Sequence, residues 1–189
     1  MSQPYILAYL PWCKTFEGNV ATMYLDSCDP GNVTCGVGFE LPTVLMACGF
    51  PWYIPGLVTP ATAQEIAAEW NRVKAMQPGQ LPHFYAIETA LQLKQDDIDA
   101  HTMTLLDTLD DGLTAGIPNF EELPDEWKMA LADMGWNLGL HGLLNGYPRM
   151  LAAIEAGDGA TAATECHRNG ISDARNQWCA LQFSGTVEG

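Results

Sequence analysis

A chain of 189 residues that is 48% hydrophobic, with six each of Trp, Tyr and Phe, can bury one substantial core or two small lobes sharing one, which excludes a disordered protein. Eight Lys and Arg against 23 Asp and Glu leave a formal charge of −15, so nucleic-acid binding is disfavoured: a duplex surface requires a basic footprint. No apolar run reaches the roughly 18 residues of a membrane span, and Met1-Ser2-Gln3-Pro4-Tyr5-Ile6-Leu7 lacks the basic start of a signal peptide, so delivery by another route, or a trimmed leader, is expected.

The stretch around Pro11 to Phe16 predicts a short helix that ends on Glu17. Two β-prone runs follow, Val20-Ala21-Thr22-Met23-Tyr24-Leu25 and Val33-Thr34-Cys35-Gly36-Val37-Gly38. They flank an Asp29-Pro30-Gly31-Asn32 turn and read as a hairpin. Beyond Leu41 the texture is mostly helical. Thr59-Pro60, a cap followed by Pro at the first helical position, opens a helix over 61–76 that Pro78-Gly79 ends. Residues 87–93 fit neither period. Ile98, Met103, Leu105, Leu106 and Leu109 recur at helical spacing from about Asp96 to Leu113. Pro124 starts another helix, with Trp127, Ala130, Leu131, Met134 and Leu138 on one face. Short helices over 147–156, 160–167 and 172–183 close the chain, separated by Gly157, Gly159 and Asn169-Gly170. The expected class is α+β: one domain over 1–189, with a β-rich lobe at about 18–40 and a mainly helical part at about 60–183. A cleft where the lobes meet is the expected ligand site.

Between Gln95 and Trp127 stand ten acids and no Lys or Arg. A solvated helix face explains such a run; a docking surface for a basic partner, such as a protective inhibitor, is the sharper reading. Cys13, Cys28, Cys35, Cys48, Cys166 and Cys179 form no CxxC pair and no zinc-like spacing. Reduced, they would pack as small hydrophobes; oxidised, Cys28–Cys35 on the hairpin and Cys166–Cys179 on consecutive helices are the favoured bridges. His83, His101, His141 and His167 are scattered, so no metal site is expected.

Cleaving a glycosidic bond takes a protonated carboxyl on the leaving oxygen and, in the inverting mode, a carboxylate that activates water on the opposite face of the sugar, about 6.5–9.5 Å away. Glu17 before the hairpin and Asp26 at its first turn are candidates for that pair, and the Thr34 hydroxyl on the returning strand could orient the water. Asp29 could take the place of Asp26 if the turn is shifted.

Phe16-Glu17-Gly18, Tyr24-Leu25-Asp26 and Gly31-Asn32-Val33-Thr34-Cys35-Gly36-Val37-Gly38 resemble the signature of phage-type lysozymes, glycoside hydrolase family 24: an E-G pair, a Y-x-D whose Asp follows the Glu by nine, and a closing T-x-G-x-G. The interval from Asp26 to Thr34 is about two residues longer than usual, with the insertion around 28–30, and Phe39 stands where the family usually has His. Ala130-Leu131-Ala132-Asp133-Met134-Gly135-Trp136-Asn137-Leu138-Gly139 is similar to the family's buried central helix. Arg149-Met150-Leu151-Ala152-Ala153-Ile154 with Gly157-Asp158 and Ala162-Ala163 resembles its following passage, and Arg168, Ile171 and Arg175 fall in its Arg-rich closing helices. The longer middle, 49–123, is more like pesticin-like toxin and effector lysozyme domains.

The resemblance implies a lysozyme-like fold and hydrolysis of the β-1,4 bond between N-acetylmuramic acid and N-acetylglucosamine in peptidoglycan glycan strands. Glu17 would be the acid, Asp26 would hold the water and stabilise positive charge on the sugar, and Thr34 would help place the water. Asn137, Gly36 and Phe39 would contact substrate, although Asn137 also reads as a structural hydrogen-bonder. No metal or organic cofactor is implied. Action in the bacterial periplasm, delivery by a secretion system, carrier domain or phage lysis machinery, and an immunity protein as partner complete the expectation. A protonated Glu17 would need an apolar wall, for which Phe16, Trp12 and Trp136 are candidates. A lytic transglycosylase, which needs no second carboxylate, and a non-catalytic wall-binding module are the alternatives.

Overall fold

Helix α1 (Pro4–Glu17) runs straight through Pro11 and ends on Glu17, so the sequence predicts only its second half. An internal proline removes a hydrogen bond and costs about 3 kcal/mol. Tyr5, Ile6, Tyr9 and Cys13 are all buried along one face, and at roughly 1.5–3 kcal/mol per large apolar side chain that burial outweighs the penalty. The computed structural model describes residues 3–27, 31–57 and 59–185; Cys28 and Asp29, named above as bridge partner and alternative base, lie outside them. The chain divides into two compact units, Cys13–Thr102 and Met1–Trp12 with Met103–Gly189.

In the first unit, β1 (Val20–Leu25), β2 (Val33–Gly36) and β3 (Phe39–Glu40) form an antiparallel sheet in that order. The register pairs Tyr24 with Thr34, Leu25 with Val33 and Cys35 with Phe39. The expected hairpin thus gains a third strand. Gly38, at φ 80°, takes the left-handed position of the turn that creates it. Short helix α2 (Val44–Ala47) precedes an extended stretch in which Pro60 bridges Tyr53 and the Ala61 N–H donates to the Trp52 carbonyl at 2.7 Å. Helix α3 (Ala63–Lys74) therefore starts later than Thr59-Pro60 suggests. Its N-cap is Thr62, in a reciprocal capping box with Glu65. Helix α3 packs on β1 and β2, and the Trp70 indole donates to the Leu41 carbonyl at 2.8 Å. After α4 (Pro82–Tyr85), Gln92 bridges both Thr22 and Tyr53, which explains why 87–93 shows no clean period: it is a sheet-edge connector.

Helix α5 (Gln95–Gly116) is followed by a 3-10 turn (Phe120–Glu122) and α6 (Asp125–Gly146). Leu140 and Leu144 close onto Gly112 and Gly116 so tightly that a Cβ there would lie 2.1 and 2.6 Å from their methyls. Ala130 through Gly135 are buried on every side, so this is a core helix and not an amphipathic one. Gly139, at φ 69° and ψ 157°, interrupts its geometry where another residue would be strained. Helices α7 (Pro148–Glu155), α8 (Gly159–Glu165) and α9 (Asp173–Ser184) follow, with α9 packed on α6 and α8.

Asp133 sits at the centre of this second unit with no exposed surface. Its carboxylate accepts from the Tyr9 hydroxyl at 2.9 Å, from Arg175 Nε at 3.0 Å and from Arg168 Nη2 at 2.5 Å, while its backbone carbonyl accepts from Arg168 Nη1 at 3.2 Å. Asn176 holds the Arg168 backbone from both sides: its Oδ1 accepts from the Arg168 N–H at 3.0 Å and its Nδ2 donates to the carbonyl at 2.9 Å.

Cys35, Cys166 and Cys179 are free thiols packed as small buried side chains, the reduced one of the two readings that the sequence allows. One sequence expectation is corrected: the acidic run is not a single solvated face, since Asp110 accepts from the buried Tyr5 hydroxyl at 2.6 Å and Asp99 pairs with Lys14 at 2.9 Å. Removing the buried carboxylate leaves two guanidiniums facing each other, so Asp133→Ala is expected to cost about 3–5 kcal/mol in urea unfolding. Thr62→Ala should cost only about 1 kcal/mol. Comparable losses for the two variants would show that the network carries no special share of stability.

Candidate active site

Glu17, Asp26 and Thr34 all belong to the Cys13–Thr102 unit. Glu17 is the last residue of α1, Asp26 directly follows β1, and Thr34 lies in β2. Glu17 is half-buried, with its Oε1 oxygen shielded from solvent.

The peptide of Asn32 joins the other two. Its N–H donates to Asp26 Oδ1 at 2.8 Å, and its carbonyl accepts the Asp26 N–H at 3.0 Å and the Thr34 hydroxyl at 3.1 Å. The carboxylate is thereby turned in place, and the Thr34 hydrogen is committed to a neighbour. Lys74 Nζ, at the end of α3, donates to the Gly31 carbonyl at 2.6 Å and pins the same turn from outside. Sequence reasoning did not single out Asn32. Its signal was its place, six residues after the Asp and two before the Thr.

Tyr24 lies opposite Thr34 in the ladder. Its phenol is pushed up to about 12, first by burial and then by the negative fields of Cys35, Asp26 and Glu17. Burial alone pushes the Cys35 thiol up to about 12.

Gly36 and Phe39 turn out differently from expectation. Phe39 is 5% exposed and packs against Phe50 (centroids 5.9 Å apart) and edge-to-face with His101 (4.5 Å). Its ring is part of the packing, which leaves almost none of it to meet a sugar. Gly36 serves that packing, since a Cβ on it would lie 2.3 Å from the Phe39 ring, and its φ is 59°. His101, whose pKa is lowered by burial, touches Phe39 and Phe50 where a solvated imidazole would be out of place.

Asn137 belongs to the other unit. It is exposed on α6, with its Oδ1 3.5 Å from Arg168 Nη1. Of the aromatics considered for a wall at Glu17, Trp12 is 43% exposed and lies against Trp178 at 5.3 Å between centroids, while Phe16 and Trp136 are half-buried. Among the described residues, no three His, Cys, Asp or Glu side chains cluster closely enough to hold a metal ion, and no helix is long and apolar enough to cross a membrane.

A three-stranded antiparallel sheet following the first helix, with a run of helices after it, makes this an α+β protein with a lysozyme-like fold. Among solved structures, the muramidase domain of SpmX from Asticaccaulis excentricus is similar to it, with a TM-score of 0.54, 15% sequence identity, and coverage of 96% of each chain. No protein-family model matches the sequence, and no curated protein does. The likeness is one of fold over nearly the whole length.

The Tyr24 phenol offers a direct probe of this arrangement. An absorbance titration should place its midpoint near 12, against about 10 for an unfolded tyrosine. Asp26→Asn should lower it, because a negative charge that disfavours phenolate has gone; an unmoved midpoint would place Asp26 outside its field. Since the Tyr24 and Cys35 pKa values are both raised on folding, their contribution to stability is complete below the unfolded values and is lost as pH climbs towards about 12.

Proposed function

We propose that this chain is a peptidoglycan hydrolase of the phage-lysozyme type, glycoside hydrolase family 24. It would cleave the β-1,4 bond between N-acetylmuramic acid and N-acetylglucosamine. The observation that carries the reading is the Asp26–Asn32–Thr34 hydrogen-bond set in a lysozyme-like fold, with Glu17 closing the helix that precedes the sheet.

In this reading Glu17 gives its proton to the glycosidic oxygen as the bond to the anomeric carbon breaks. A water on the opposite face of the sugar supplies the new oxygen. Thr34 is 3% exposed and has its own hydrogen committed to Asn32, so it would meet that water only as an acceptor and only at the edge of its hydroxyl that solvent reaches. Asp26, turned by the Asn32 N–H, takes the proton the water gives up and faces the positive charge that develops on the sugar. The cycle ends with Glu17 ionised and Asp26 protonated, and exchange with solvent restores both. The carboxylate held ready for water favours hydrolysis over transglycosylation, which leaves such a group without a task.

Asn137, with its amide exposed, is the remaining side chain proposed to contact sugar. Because the glycan wall is itself anionic, a chain at −15 gains no long-range attraction to it. That suits an effector or bacteriocin released close to its target, of the pesticin-like kind, better than a freely diffusing enzyme. A basic immunity protein would find complementary charge at exposed Asp111, Glu121, Glu122, Asp125 and Glu126.

Digestion of purified sacculi tests the reading. Wild type should release soluble muropeptides with reducing ends. Glu17→Gln should lose about 10²–10⁴-fold in rate while keeping its circular dichroism spectrum. Full activity in Glu17→Gln would remove the acid assignment. Anhydro products would make the enzyme a transglycosylase, and sacculus binding without release of fragments would make it a binding module.

A further inference from the structure

We propose that Arg149, Glu165 and Tyr147 form a binding site for an amino-acid head group, a single carbon that carries both a free carboxylate and a free ammonium, in the cavity at the start of α7. The proposal does not depend on the hydrolase reading, since these residues lie in the unit that lacks Glu17, Asp26 and Thr34.

The first observation concerns the cations. The sequence holds eight Lys and Arg, and all but one are committed to close partners. Lys14 meets Asp99 at 2.9 Å, Arg72 meets Glu69 at 2.7 Å, and Arg168 and Arg175 meet Asp133 at 2.5 and 2.9 Å. Lys74 and Lys128 donate to the carbonyls of Gly31 and Glu121, and Lys94 sits over the Tyr53 ring at 3.7 Å. Arg149 differs. Its side chain is 83% exposed, and its ion-pair partner, Glu165 Oε1, stands 3.8 Å from Nη1, beyond hydrogen-bond reach. The guanidinium donates no hydrogen bond among the described residues.

The second is convergence. A cavity of about 310 Å³ is lined by Gly146, Tyr147, Pro148, Arg149, Met150 and Glu165. Tyr147 directly precedes α7, Arg149 lies in its first turn, and Glu165 is the last residue of α8, which packs on α7. Neither the Tyr147 hydroxyl nor the Glu165 carboxylate makes a hydrogen bond among the described residues. Burial holds the Tyr147 phenol above its ordinary pKa, so it remains a donor. One cavity of small-ligand size thus gathers a cation, an anion and a neutral donor that the fold itself leaves unused.

The third is charge balance, which selects the ligand. A plain anion would meet Arg149 but also Glu165 and a chain at −15, and a plain cation would meet Arg149. A head with one charge of each sign is matched to both side chains. Its nitrogen and carboxyl carbon lie about 2.5 Å apart. It can therefore donate its ammonium hydrogens to Glu165 and accept those of Arg149 on its carboxylate while the two side chains keep their 3.8 Å separation. The Tyr147 hydroxyl is a further donor for the carboxylate. A free amino acid presents this head, and so does the free end of a diaminopimelate side chain in a peptidoglycan peptide.

An NMR titration of the nitrogen-15-labelled, full-length native protein tests this. One probe is N-acetyl-L-Ala-γ-D-Glu-meso-diaminopimelate, whose only ammonium is at the free end of the diamino acid. The second has L-Lys in place of diaminopimelate, which keeps the ammonium and lacks the carboxylate beside it. Glycine is the third. The expected result is saturable movement of the amide signals of Arg149, Met150 and Glu165 with the diaminopimelate peptide, and affinity at least about 10-fold weaker for the Lys peptide. Arg149→Ala and Glu165→Gln should each weaken the diaminopimelate peptide about 10-fold. Glycine binding as tightly as that peptide would make free amino acids the source of the head; weaker binding of glycine would make it the wall peptide. No saturable movement at these amides, equal binding of the two peptides, or unchanged affinity in Arg149→Ala overturns the proposal. Should a variant lose its fold, the comparison of the two peptides on the native protein decides. Digestion of sacculi is not read here, so failure of this site leaves the assignment of Glu17 untouched.

Discussion

A carboxylate with no water around it must be met by charge and hydrogen bonds or not exist as an ion, and Asp133 imposes that condition on the larger helical unit. Tyr9 from α1, Arg168 from the connection after α8, and Arg175 from α9 all reach it, so four separated stretches of chain share one anion. Gly135, on the same buried turns, makes room for α5: a Cβ there would come within 2.9 Å of Leu109. Apolar burial supplies most of the stabilisation, but it is non-directional; the anion tells Tyr9, Arg168 and Arg175 where to go.

In the sheet-bearing unit the corresponding constraint is a single peptide group. Asn32 uses its N–H on Asp26, and its carbonyl receives the Asp26 N–H and the Thr34 hydroxyl. Backbone groups are the most dependable orienting partners available, because the strand register fixes them without any rotamer choice. Tyr24, opposite Thr34 in the ladder, is a phenol that resists ionisation first because it is buried and then because of nearby negative charge.

The parts of this fold legible in the sequence were those with local punctuation. Alternating β-prone residues around Asp-Pro-Gly-Asn marked the hairpin, and glycines marked the ends of α7 and α8. What escaped was decided by distant partners. Local rules place a helix start after Pro11, and only the buried face of Tyr5, Ile6 and Tyr9 explains why α1 begins at Pro4. Thr59-Pro60 carries the local signs of a helix start, yet α3 opens at the Thr62–Glu65 capping box. Phe39 stood at a motif position that suggests a ligand contact; its ring instead fills the space left by the missing side chain of Gly36. Of the candidate site, Glu17, Asp26 and Thr34 were legible as candidates through the resemblance to the phage-type lysozyme signature. The peptide that organises two of them was not, because backbone donors carry no residue-type signal.

The two hydrogen bonds between Asp26 and Asn32, with Lys74 holding Gly31, close the loop at its base. Strand pairing and carboxylate orientation are settled by these anchors, and closing a longer loop costs only about 0.6 kcal/mol per doubling of length. A change in the number of residues between Asp26 and Asn32 is therefore expected to leave the strand register and the orientation of the carboxylate as they are, so evolution can alter the length of the chain there without moving the acidic group.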